Sequence, residues 1–346
     1  MNFTRLLFLL FPEMKFLPKA KTGEFKMNFS LESKPLGTVD RYVIHADDCE
    51  LEILAGWGAG LNAWRVPVGK KNLDLLYGYR DAETFRKIQA DTNAGVCLSP
   101  WPGRTANAKW SWKGKDYKLV NNVSWAPHAL HGFLHVLPWR LVSFSSNEKE
   151  AVLTLSRDFY GDANAYPFTY KVTNVYTFNG NSFTVKSVVR NTYHETLPYA
   201  QGFHPYFMLG KKVDCLTLQM PESHKALLDS ADIPTGKLEA ETRFTGNTLI
   251  GDTFINDYFA FDAKSSDRAS VILRDPETGN QIDVWQKTGE NLWRGIQIYT
   301  PPDRESIALE PMSSAPDVLN HHRELIEIAP NSSIELLWGA DFTQKG

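Results

Sequence analysis

"FTYKVTNVYTFNGNSFTVKSVVRN", residues 168–191, decides the fold class. In its second half Phe183, Val185 and Val189 fall on one face, with Thr184, Lys186 and Arg190 opposite. A period of two marks a half-buried strand rather than a helix. The first half reads as a second strand, and "NGN" at 179–181 divides them. Asn and Gly tolerate positive φ, so the stretch reads as a β-hairpin. The same logic recurs in "SVILRDPETGNQIDVW" (270–285) and around Gly114 in "KWSWKGKDYKL" (109–119). "CLTLQM", "RGIQIY", "SIALE" and "SIELLW" add further strands, whereas "DAETFRKIQ" (81–89) reads as a short helix. "GWGAG" (56–60) lacks the G-x-G-x-x-G spacing and reads as a turn between strands. The expectation is an all-β protein, a large antiparallel sandwich. With no fixed-period repeat and no Ser/Gly linker, a single domain is expected over 27–346.

Composition narrows the partners. The chain has 346 residues and a net charge of −3, from 37 basic and 40 acidic side chains mixed along its length. No basic run or acidic tail stands out, which argues against nucleic acid and anionic membranes. The 20 Phe, 13 Tyr and 10 Trp suit both a sandwich core and platforms for sugar rings. Cys49, Cys97 and Cys215 are widely spaced and odd in number, which argues against a disulfide framework and a zinc site and favours a reducing compartment. No segment holds the roughly 18 consecutive apolar residues of a membrane span. Residues 1–26, with one short apolar run ended by Pro12, read as a weak leader or a start-site extension. A cytoplasmic location follows, or a periplasmic one if that stretch acts as a signal.

Chemistry could sit in five places. "SPWPGRTANAKW" (99–110) holds Arg104 in a Pro/Gly turn, and Arg offers a planar fork of donors. "PHALHGFLH" carries His128, His131 and His135 at metal-like spacing. Its prolines and glycine oppose a helix, and no carboxylate or Cys completes a ligand set, so no metal is expected. His131, beside Gly132, is its most interesting member. "LPYAQGFHPYFML" (197–209) puts His204 in an aromatic run. "LIGDTFINDYFAF" places Asp252, Asn256 and Asp257 around a strand, and "SIALEPMSSAPD" ends an apolar strand on Glu310. A carboxylate there is costly to bury unpaired, so its pKa should be perturbed.

In order, "PWPGR", "ALHGF", "GFHPYF" and "LEPMSSAPD" resemble the aldose 1-epimerase (galactose mutarotase) family, in its bacterial branch, across roughly residues 40–340. That resemblance implies a β-supersandwich with one sugar cleft and no cofactor. It also implies interconversion of the α and β anomers of a free aldohexose. Carried over, Glu310 matches the catalytic base and His204 the catalytic acid. His131 matches the second active-site His and Arg104 the arginine beside it. The family's sugar-binding Asp falls at Asn256, or one step along at Asp257. Glu310-Pro311-Met312 departs from the Glu-Thr-Gln of galactose-specific members, so strict galactose preference is not implied.

Anomer exchange needs one proton taken from the C1 hydroxyl and one given to the ring oxygen, which a carboxylate and an imidazole can do together. Aromatic burial alone would weaken His204 as an acid, so a carboxylate, Glu310, is expected beside it. Three rivals remain. A hexose-6-phosphate mutarotase would need a cluster of cations. A glycosidase or lyase would pair Glu310 with Asp257 or Asp317. A non-catalytic carbohydrate-binding protein would need neither Glu310 nor His204. A monomer or homodimer is expected.

Overall fold

The computed structural model describes residues 26–262 and 267–345. The expected leader, 1–26, lies outside them except for Lys26. Strands dominate and pair antiparallel throughout the named sheets. One nine-stranded sheet runs Arg140–Ser146, Ala151–Phe159, Tyr170–Phe178, Ser182–Asn191, Ser333–Thr343, Gln281–Lys287, Arg268–Arg274, Thr217–Gln219, Thr248–Leu249. A second runs Pro234–Glu241, Ser223–Leu228, Asn256–Phe261, Gly295–Tyr299, Ile307–Met312, Gly202–Phe203, Cys97–Leu98, with Tyr206–Phe207 and Leu76–Tyr77 joined to it. A five-stranded sheet covers 29–74.

The opening hairpin forms as read. Phe178 pairs with Phe183, Gly180 takes φ +92°, and Phe183, Val185 and Val189 are fully buried. The hairpins 268–287 and 109–118 close through Gly279 and Gly114, both at positive φ. The helix extends past its expected end, to Ala82–Thr92. Asp81 caps its start by accepting from the Glu83 and Thr84 amides, and Asn93, left-handed at φ 47°, stops it. All three cysteines are free. Among the described residues no helix is long and apolar enough to cross a membrane.

One continuous apolar cluster joins the sheets, with Trp64, Trp101, Trp293 and Trp338 fully buried. Through it runs a chain of buried polar groups. Ser187 Oγ donates to Asn174 Oδ1 at 2.7 Å, and Gln201 Nε2 donates to Ser187 Oγ at 2.8 Å. Tyr199 OH donates to Gln201 Oε1 at 3.0 Å and lies 2.9 Å from Ser99 Oγ. Satisfied buried networks fix one backbone arrangement. This one fixes Tyr199–Gln201, three residues before His204, and Ser99, at the start of the Pro-rich turn.

Candidate active site

Three neighbouring strands make a floor. Register sets Gln297 beside Glu310 and Asn256 beside Tyr299, while Tyr206 pairs with Ala308. Alternation along each strand turns Asn256, Gln297, Tyr299, Glu310 and Met312 to one face, and all five line a cleft of about 280 Å³. The cleft's other walls include Asn93, Gly103, Arg104, Trp125, Leu130, His131, His204 and Tyr206.

His204 is clamped through its backbone. Its amide donates to Val96 O at 3.1 Å and its carbonyl accepts from Gly95 at 2.8 Å. The ring stacks on Tyr206, at 4.9 Å between centroids, and meets His131 edge-on at 5.3 Å. Its Nε2 stands 3.6 Å from Glu310 Oε1. Glu310 is 3% exposed and His204 8%, so neither charge is solvated by bulk water. Burial lifts the Glu310 carboxyl well above the usual carboxylate range, with Arg104 pulling it back. Burial drops His204 to about 4, its own backbone opposing and His135 reinforcing the shift. Burial therefore favours a neutral carboxylic acid beside a neutral imidazole.

His131 and the "PWPGR" turn hold each other. The His131 amide donates to Gly103 O at 3.0 Å, and the Gly103 amide donates to His131 Nδ1 at 3.2 Å. Because Nδ1 accepts, a neutral ring carries its proton on Nε2. Neutrality is enforced by burial first, then by His204, His135 and Arg104, which together hold the pKa well below 6.5. Gly132 must be glycine: at φ +70° a Cβ would sit 2.2 Å from Ser99 O. Arg104 lies over exposed Trp125 at 5.2 Å and reaches Asp232 Oδ2 at 3.5 Å. The three "PHALHGFLH" histidines do not converge. His128 is tied off, accepting from the Asn107 amide and donating to Ala231 O.

The sequence model of the family described as Aldose 1-epimerase matches residues 40–336. The chain belongs to the aldose 1-epimerase family. It is 26% identical over 239 residues to the uncharacterised Escherichia coli (strain K12) protein YihR, covering 67% of this chain and 73% of that one. A galactose mutarotase-like protein of Clostridium acetobutylicum superposes with TM-score 0.77 at 15% identity, covering 92% of this chain and 99% of that one. Galactose 1-epimerase from Lactobacillus acidophilus NCFM superposes with TM-score 0.73 at 16% identity, covering 93% and 100%. The architecture is thus the galactose mutarotase-like sandwich.

Against this family frame, five of the six residues singled out in the sequence line one cleft: Arg104, His131, His204, Asn256 and Glu310. Asp257 does not. The pleat turns it to the opposite face of its strand, where burial raises its pKa and Lys225 and Arg243 oppose that rise. Of the two neighbours, Asn256 faces the cleft, its Oδ1 accepting from Gln297 Nε2 at 3.1 Å. Asp317, the other carboxylate a hydrolase would need, is a structural tie. Its Oδ1 accepts from the Ala106 amide at 2.8 Å and from Asn320 at 2.6 Å. Asp252 is exposed. Sequence reading missed Asn93, Trp125, Tyr206, Gln297 and Tyr299. Alternation in "RGIQIY" would have flagged Gln297 and Tyr299 as one polar face, and "TNAG" carries the helix-stop signal at Asn93.

Proposed function

We propose that the chain is an aldose 1-epimerase acting on a free aldohexose. The observation that carries this reading is the buried Glu310–His204 pair, 3.6 Å apart in the cleft. Ring opening breaks the C1–O5 bond and makes C1=O. Glu310, as carboxylate, takes the C1 hydroxyl proton while His204, as imidazolium, gives one to O5. Both groups are then neutral. Rotation about C1–C2 presents the other carbonyl face, and the same two protons return as the ring closes. The pair needs one shared proton throughout, with no covalent intermediate. The neutral state favoured by burial is the one reached after opening. A sugar's hydroxyls and Arg104, whose attraction already favours ionised Glu310, offset the cost of the charged state before opening.

His131 Nε2–H and the Asn256–Gln297 pair supply oriented hydrogen-bonding groups for sugar hydroxyls. Among the described residues Arg104 is the one Lys or Arg lining the cleft, and exposed Asp91 shares its wall. That balance supports a free sugar over a phosphorylated one, which wants several cations. A hydrolase is disfavoured, since Asp257 and Asp317 are both turned to other tasks. A binding module would gain nothing from burying a carboxyl against an imidazole.

Polarimetry of freshly dissolved α-D-glucose and α-D-galactose tests the reading. Faster decay to the equilibrium rotation supports it and ranks the two sugars. Uncatalysed decay with both, from folded protein, overturns it.

A further inference from the structure

Beside the cleft lies a second recess, of about 560 Å³, twice the size of the first. The two share Asn93 and Leu130. The same two segments wall both: in 119–125, Val120, Asn122 and Val123 face the recess and Trp125 the cleft. In 129–135, Gly132, Phe133 and His135 face the recess and His131 the cleft. We propose that this recess is a second sugar subsite, so that the preferred substrate is a reducing disaccharide, its reducing ring in the cleft and its second ring in the recess. This rests on the epimerase reading.

The lining has the chemistry of a neutral ring with two kinds of surface. Trp57, Phe133 and Phe159 offer apolar faces, and Gln89, Asn93 and Asp162 offer hydrogen bonds, while the Asn122 amide is already paired with the Leu130 backbone. Among the described residues no Lys or Arg lines it, and Asp162 would repel an anion. His135 is 5% exposed and kept neutral by burial, and its Nδ1 has no hydrogen-bond partner. Trp57 Nε1 and Trp101 Nε1, also on this wall, are buried without one. Val120 (72% exposed) and Val136 (39%) leave apolar surface open to solvent at the recess, suited to cover by a ring's CH face. A phosphate, sulfonate or carboxylate would meet no cationic side chain among the described residues of this lining.

The test compares glucose with maltose, cellobiose and isomaltose, following anomer exchange for wild type, Val136→Trp and Val120→Trp. Both substitutions fill the recess from exposed positions that lie outside the cleft. The expected result is a kcat/KM for one disaccharide about tenfold or more above that for glucose. Each filled variant should lose that advantage while glucose stays within about twofold of wild type. If no disaccharide exceeds glucose, or if filling leaves the ratio unchanged, the subsite is overturned and the epimerase stands. If no sugar is accelerated by folded wild type, the epimerase reading falls and takes the subsite with it.

Discussion

The two nine-stranded sheets obey different rules. In the first, Tyr170–Phe178 alternates strictly, every second residue buried. In the second, all six residues of Ile307–Met312 are buried, and Gly202–Phe203 and Tyr206–Phe207 are two residues long. One face of the first sheet meets the core and the other is more open, so its sequence declares its period. The cleft-bearing strands have core below and the 99–135 segment above. Two-sided cover erases alternation in Ile307–Met312, and there Glu310 sits as a carboxyl in an otherwise apolar strand. The contrast separates residues that stabilise the sandwich from buried polar residues that burden it, as the proposed chemistry would require.

Substitutions can break that contrast. The largest effect is expected at His204: Asn should lower kcat by about a hundredfold to ten-thousandfold. Combined with Glu310→Gln it should cost far less than the product of the two losses, because the pair acts as a unit. Full additivity in a double-mutant cycle would contradict the pairing. Leu336→Ala, in the first sheet and fully buried, should cost about 2–5 kcal/mol of stability while leaving kcat per folded molecule unchanged. Denaturant melts alongside active-site titration check this, and a matching fall in kcat would erase the distinction.

Stability against pH sharpens it further. Glu310 titrates higher folded than its ordinary 4.5, so its contribution is intact below 4.5 and lost as pH rises through the raised value. His204 titrates near 4 folded against 6.5, so its contribution is present above 6.5 and lost as pH falls through 4. The Tm of Glu310→Gln relative to wild type should therefore rise as pH climbs from 4.5. That of His204→Asn should rise as pH drops from 6.5 towards 4. Scanning calorimetry across this range reads both, and flat differences would deny the burial effect. The smallest effects lie at the neighbours on one strand. Asn256→Ala should raise KM roughly fivefold, a hydrogen bond's worth, whereas Asp257→Ala should change it less than about twofold. Sugar-saturation curves decide, and the reverse order would put the wrong face of the strand in the cleft.

Most of the first sheet was legible, since Phe183, Val185 and Val189 show their face in sequence. The cleft was legible only through short motifs that matched a family, because nothing local says that His204 and Glu310, 106 positions apart, will meet. The choice between Asn256 and Asp257 stayed open in sequence for a physical reason. A one-residue shift flips the face of a strand, and only the register of Asn256 against Tyr299 fixes it. Alternation marks Gln297 as one polar face of its strand, but its place across from Glu310 is a pairing no single strand reveals.

The most direct test of the central claim is NMR exchange between the two anomeric protons of equilibrated glucose, with wild type and Glu310→Gln at pH 7. Rapid exchange in the wild type that collapses in a variant melting no lower than wild type is the predicted result. Exchange that persists undiminished in Glu310→Gln would contradict it.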